Sequence, residues 1–100
     1  MSENLNINEK IITAVSSNIG VSKEDILSNK KSTTISLSRH ICMYVISRKN
    51  TMISQRQIGD IFGTTNSMVS KAIRGIEYDA KTYKYLKTII DCIIKDVESN

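Results

Sequence analysis

The sequence contains no proline and no tryptophan, and only four glycines, in 100 residues. Nothing therefore removes a backbone donor inside a helix, and few positions invite one to stop. No apolar run approaches the roughly 20 residues that a membrane-crossing helix needs, and the N-terminus lacks a signal-peptide pattern. A soluble, cytoplasmic protein with no membrane partner is expected. The one histidine, His40, stands beside Arg39. A single histidine supports no Ser-His-Asp set and, with two scattered cysteines, no metal-ligand set. His40 reads as a surface or capping residue, and no enzymatic activity, cofactor, metal or small-molecule substrate is expected. Cys42 and Cys92 each sit among apolar residues at helical spacing and read as small buried hydrophobes kept reduced.

Hydrophobic residues make up 40 % of the chain and charged residues 24 %, enough for one domain around a modest core. The apolar residues recur at helical spacing more than in strict alternation, which predicts an all-α fold. The net charge is +4. Its placement is more informative. Residues 23–76 hold nine Lys/Arg against three acids, a local charge of +6, while the rest holds five bases and seven acids, −2. A basic middle segment points to nucleic acid.

A compact bundle of about six helices is predicted. Residues 1–5 read as a flexible N-terminus, followed by a single helical domain over 6–98. Ile7, Ile11, Ile12, Val15 and Ile19 make one helical face, with Asn6 or Asn8 as cap and Gly20 as stop. Ser22 and Asp25 resemble a capping box before a short helix over 23–28. "NKKSTT" is a polar basic loop. A central helix from Ile35 is apolar on more than one side, through Ile41, Met43, Tyr44, Val45 and Ile46. Leu86, Ile89, Ile90, Ile93, Ile94 and Val97 form the stripe of a last helix, which closes the domain or pairs with a second copy as a homodimer. Tyr78, Tyr83 and Tyr85 read as packing residues with wet hydroxyls, with a stacking platform for single strands as the other option.

The segment 54–78 has the layout of a helix-turn-helix. Ser54 and Gln57 form a capping box. Ile58, Ile61 and Phe62 point inward, Gly59 allows two helices to approach closely, and Gly63 supplies a turn residue tolerant of positive φ. Thr65 caps the second helix, whose inner stripe is predicted as Met68, Val69, Ala72, Ile73 and Ile76. Thr65, Asn66, Ser67, Ser70, Lys71 and Arg74 then face outward. Ser, Thr and Asn at a helix start often serve only as caps. In the docking mode of this motif, however, the second helix enters the major groove N-terminus first, where Asn can pair with adenine and Lys or Arg with guanine or phosphate.

With its flanks added, the chain from Ile12 to Glu77 resembles the C-terminal DNA-binding domain of the bacterial replication initiator DnaA, in the Trp-repressor-like superfamily. The pieces that carry the resemblance are "AVSSNIGVSKEDILSNKK", "SRHICMYV", "SQRQIGDIFG" and "NSMVSKAIRGIE". "SRHICMYV" is similar to the family's R-Q-I-A-M-Y-L, and "SQRQIGDIFG" to its S-x-x-x-I-G-x-x-F-G. The resemblance implies binding of double-stranded DNA by a recognition helix in the major groove and a basic loop at the backbone or minor groove. Lys31 falls at the family's key loop arginine, with Lys30 beside it, and Arg39 at a basic position suited to phosphate. The family's recognition signature D-H-T-T-V falls on Thr65, Asn66, Ser67, Met68 and Val69. Only the valine is retained, so fold and docking mode carry over while the base-reading residues differ. The chain has no phosphate-binding G-x-x-x-x-G-K-[ST] motif. An origin-binding module, whether a stand-alone protein or an excised domain, and a small transcriptional regulator both fit. A protein-interaction adaptor that kept the fold and lost DNA binding is the alternative.

Overall fold

A computed structural model describes residues 3–99 as six helices: α1 (Glu3–Ile19), α2 (Lys23–Ile26), α3 (Thr33–Lys49), α4 (Gln55–Phe62), α5 (Asn66–Thr82) and α6 (Lys84–Glu98). Among the described residues there is no strand. Helix α3 is the hub and packs against all the others. Ser38, Ile41, Cys42, Met43, Val45 and Ile46 are buried along it, which is why its apolar residues follow no single stripe. Helices α1 and α6 pack on each other and on α3, and α4 and α5 cover its other side.

Local chemistry sets most boundaries. Ser22, Ser32, Ser54 and Thr65 each accept a backbone N–H from the first turn of the helix they precede. At Ser54 the box is reciprocal, since the Gln57 side chain accepts the Ser54 N–H at 2.9 Å. Gly20 and Gly63 end their helices with φ of 85° and 68°, a region where a side chain is strained. The central helix starts two residues before Ile35, because the Ser32 cap draws Thr33 and Thr34 into its first turn.

Helix α1 departs from expectation. Residues 3–5, expected to be flexible, are helical, and residues 1 and 2 lie outside the described residues. Asn8 is therefore inside the helix and cannot cap it. It is buried, and its Oδ1 accepts a hydrogen bond from Asn50 Nδ2 at 3.1 Å, which ties α1 to the end of α3. Helix α5 runs four residues past the predicted end, and only Tyr83, extended at φ −112°, separates it from α6.

The α6 stripe faces inward through Leu86, Ile90, Ile93 and Val97. Cys92 falls on the other side of that helix and is exposed, contrary to the expectation of burial. Cys42 is buried, and burial pushes its thiol up to about 12. Tyr78, Tyr83 and Tyr85 are likewise exposed rather than packed, because they lie at the outer side of the α5–α6 corner. The Tyr83 and Tyr85 rings sit 5.9 Å apart.

Two glycines make opposite predictions. A methyl group on Gly59 would stand 2.6 Å from the Thr64 carbonyl oxygen, whereas one on Gly75 would meet nothing within 4 Å. Gly59→Ala should lose about 1–3 kcal/mol of stability from overpacking against backbone. Gly75→Ala should gain about 0.5–1 kcal/mol from helix propensity. Urea midpoints of the two variants at an unchanged m-value check both signs.

Candidate nucleic-acid interface

The α4–α5 corner begins at Gly59. Its carbonyl accepts the N–H of Gly63 and, at 2.8 Å, that of Thr64. Its missing side chain leaves room for the Thr64 carbonyl and the turn to close over α4. Ile58, Phe62 and Val69 are buried beneath the corner, so the direction of α5 is set by backbone contact and core packing together.

With α5 so placed, its outward residues divide by role. Thr65 is spent as a cap: its Oγ1 accepts the Met68 N–H at 3.2 Å. Asn66, Ser67, Lys71 and Arg74 are exposed, and Ser70 is half-buried. Lys71 and Arg74 make no ion pair among the described residues. Met68 does not join the inner stripe. It is 50 % exposed while its neighbour Val69 is 0 % exposed. In the first turn of α5 the core is reached through Val69, and Met68 is turned toward the loop that precedes α3.

That loop faces the start of α5 across a cleft of about 420 Å³. Lys31 and Asn29 line one wall, Thr64 and Met68 the other, and Arg39 and His40 lie between. Lys31 is exposed and has no ion pair among the described residues. Lys30 is turned to Asp25, 2.8 Å away, and that hydrogen bond, followed by the Coulomb attraction, raises its pKa.

Arg39 sits differently from the phosphate-contacting position that resemblance implies. Its Nε donates to the Ile26 carbonyl at 2.9 Å, and its Nη2 to the Lys30 and Asp25 carbonyls at 3.1 and 3.4 Å. The guanidinium thus satisfies carbonyls at the end of α2 and holds the loop that carries Lys30 and Lys31 against α3. No local sequence pattern marks this contact, which spans nine to fourteen residues. Arg48 does not join the cationic surface. It stacks 5.7 Å from the Tyr44 ring centroid and lines a separate groove with Glu77 and Lys81.

A family model described as the bacterial dnaA protein helix-turn-helix matches residues 8–76. The chain is 32 % identical over 91 residues to the chromosomal replication initiator protein DnaA of Onion yellows phytoplasma (strain OY-M), covering 91 % of this chain and 18 % of that protein. It is 33 % identical over 97 residues to the protein of the same name from Acholeplasma laidlawii (strain PG-8A), covering 96 % and 21 %. For that of Thermodesulfovibrio yellowstonii the values are 34 % over 90 residues, 89 % and 20 %. The chain spans about a fifth of the length of these relatives.

His40 gives the interface a pH signature. Burial first, and the Arg39 charge second, lower its pKa below 6.5. The folded state then binds a proton less readily than the unfolded chain. The stability tied to neutral His40 is fully present above pH 6.5 and is lost as pH falls toward the lowered value. His40→Gln should therefore lose less stability than the parent between pH 7.5 and 5. Paired urea titrations at several pH values measure that difference.

Proposed function

This chain belongs to the bacterial DnaA helix-turn-helix family, and from that membership we propose that it binds double-stranded DNA sequence-specifically. One observation carries the reading: the first turns of α5 expose Asn66, Ser67, Lys71 and Arg74 beside a loop that exposes Lys31. The mechanism is docking rather than catalysis. The N-terminal half of α5 enters the major groove. Asn66 offers a donor and an acceptor to an adenine edge, and Lys71 and Arg74 reach guanine or phosphate. Ser67 and Ser70 approach the backbone or base edges, and Thr65 stays a cap. The free N–H groups of the first turn favour a phosphate. Lys31 holds the backbone or the adjacent minor groove, while Lys30 stays paired with Asp25 and Arg39 keeps their loop in place from behind.

The target is replication-origin DNA, the site class that the initiator name of its relatives suggests. The altered residues at 65–68 favour a base sequence different from theirs, and operator binding by a small transcriptional regulator is the second reading on that ground. The α6 stripe is used inside the domain, which supports binding as a monomer and gives the homodimer no support. The adaptor alternative is not favoured, since unpaired cations face outward along α5. The proposed DNA target supports a cytoplasmic location, and no helix among the described residues is long and apolar enough to cross a membrane.

Fluorescence anisotropy across a salt series, with an origin-box duplex, a random duplex pool and a single strand, tests the proposal. Tight duplex binding that falls steeply with salt is expected, and no binding at low salt would sink it. Lys71→Ala and Arg74→Ala should each cost about 1–3 kcal/mol on the preferred duplex and less on random DNA. Lys31→Ala should weaken both more evenly. Arg39→Lys should lose nearly as much as Arg39→Ala, because an ammonium cannot reproduce the guanidinium's fork to three carbonyls.

A further inference from the structure

We propose that Met68 reads the C5-methyl group of a thymine and so fixes one base of the preferred site. The inference rests on the DNA-binding reading above and adds the ligand atom that one side chain recognises.

Met68 is a large apolar side chain left half in water at the start of α5. The neighbouring Val69 is fully buried and makes the core contact of that turn, while half of Met68 stays exposed. Every other outward residue of the first two turns, Asn66, Ser67, Ser70 and Lys71, is polar. Met68 is also central rather than peripheral. It lines the cleft shared with Lys31 and Thr64, and equally a second cleft of about 260 Å³ shared with His40, Lys71 and Gly75. It therefore forms the ridge between the loop cation and the helix cation, the two groups that bracket the proposed footprint. A DNA duplex docked on both cations would pass over the two clefts that Met68 lines.

Among the groups presented in the major groove, nearly all are hydrogen-bond donors or acceptors, which a thioether side chain cannot satisfy well. The thymine C5-methyl is the apolar exception. A methionine pressed against cytosine or a purine would desolvate polar edges without replacing their partners, at a cost in affinity. Against thymine it removes two apolar surfaces from water, and its three side-chain torsions let it adjust to the methyl position.

The test begins by selecting the preferred duplex from a random pool with the full chain. Each thymine in the selected site is then replaced singly by deoxyuridine, which deletes only the methyl group. For the parent protein, one replacement should weaken binding roughly three- to sixfold, the effect of about one methyl removed from an apolar contact. Met68→Ala should weaken binding to the thymine duplex by a similar factor and bind the deoxyuridine duplex equally well. Met68→Leu should retain the discrimination. Because Met68 is exposed, both variants should fold, which circular dichroism checks, and the deoxyuridine series on the parent needs no variant. A parent protein that selects a duplex yet shows no thymine whose methyl matters, or one whose effect is unchanged in Met68→Ala, overturns the role of Met68 and leaves the DNA-binding reading intact. A parent that selects no duplex overturns both.

Discussion

The backbone of α4 meets the backbone of the following turn at Gly59, where no side chain larger than hydrogen fits beside the Thr64 carbonyl. The orientation of α5 depends on that contact. The Gly59 carbonyl gathers the N–H groups of Gly63 and Thr64, the left-handed Gly63 reverses the chain, and Thr65 caps the next helix two residues later. Val69 and Phe62 then seal the angle from within the core. The outward display of Asn66, Ser67, Lys71 and Arg74 is a consequence of this corner. A shift of the corner would swing all four together, so the recognition surface is preorganised by packing and not by contacts among its own residues.

The basic loop is placed by a different device. Loops have little core to hold them, and this one carries two adjacent lysines whose charges repel. Arg39 anchors the loop backbone by donating to three carbonyls along the α2 end and the loop, and Asp25 offsets the charge of Lys30. Lys31 remains available. The two halves of the surface, a rigid helix start and a tethered loop, meet across the cleft beneath Met68 and Lys31. In the proposed docking, the Lys31 contact to backbone is sequence-independent, while Asn66, Met68, Lys71 and Arg74 would carry the sequence information.

Local chemistry was legible in the sequence. Ser54 with Gln57, Gly63 and Thr65 announced the corner because capping and positive φ are properties of single residues and short spacings. The outward faces of Asn66, Lys71 and Arg74 followed from helical periodicity. What was not legible depends on distant parts of the chain. Asn8 looks like a cap until Asn50 is found against it, and Arg39 looks like a free cation until the loop folds over it. Met68 and Cys92 were assigned inward from helical spacing, yet at each place an adjacent residue, Val69 or Ile93, already fills the core. Hydrophobicity alone does not say which of two neighbouring apolar residues the core accepts.

In the proposed docking the start of α5 and the loop before α3 form one DNA-binding surface. Amide chemical-shift mapping of the isotope-labelled chain, titrated with its selected duplex, tests this most directly. The largest shifts should fall at residues 28–32 and 65–75, with the outer side of α6 and the groove beside Tyr44 and Arg48 unchanged. Shifts centred on α6 or on that groove, with the start of α5 silent, would contradict it.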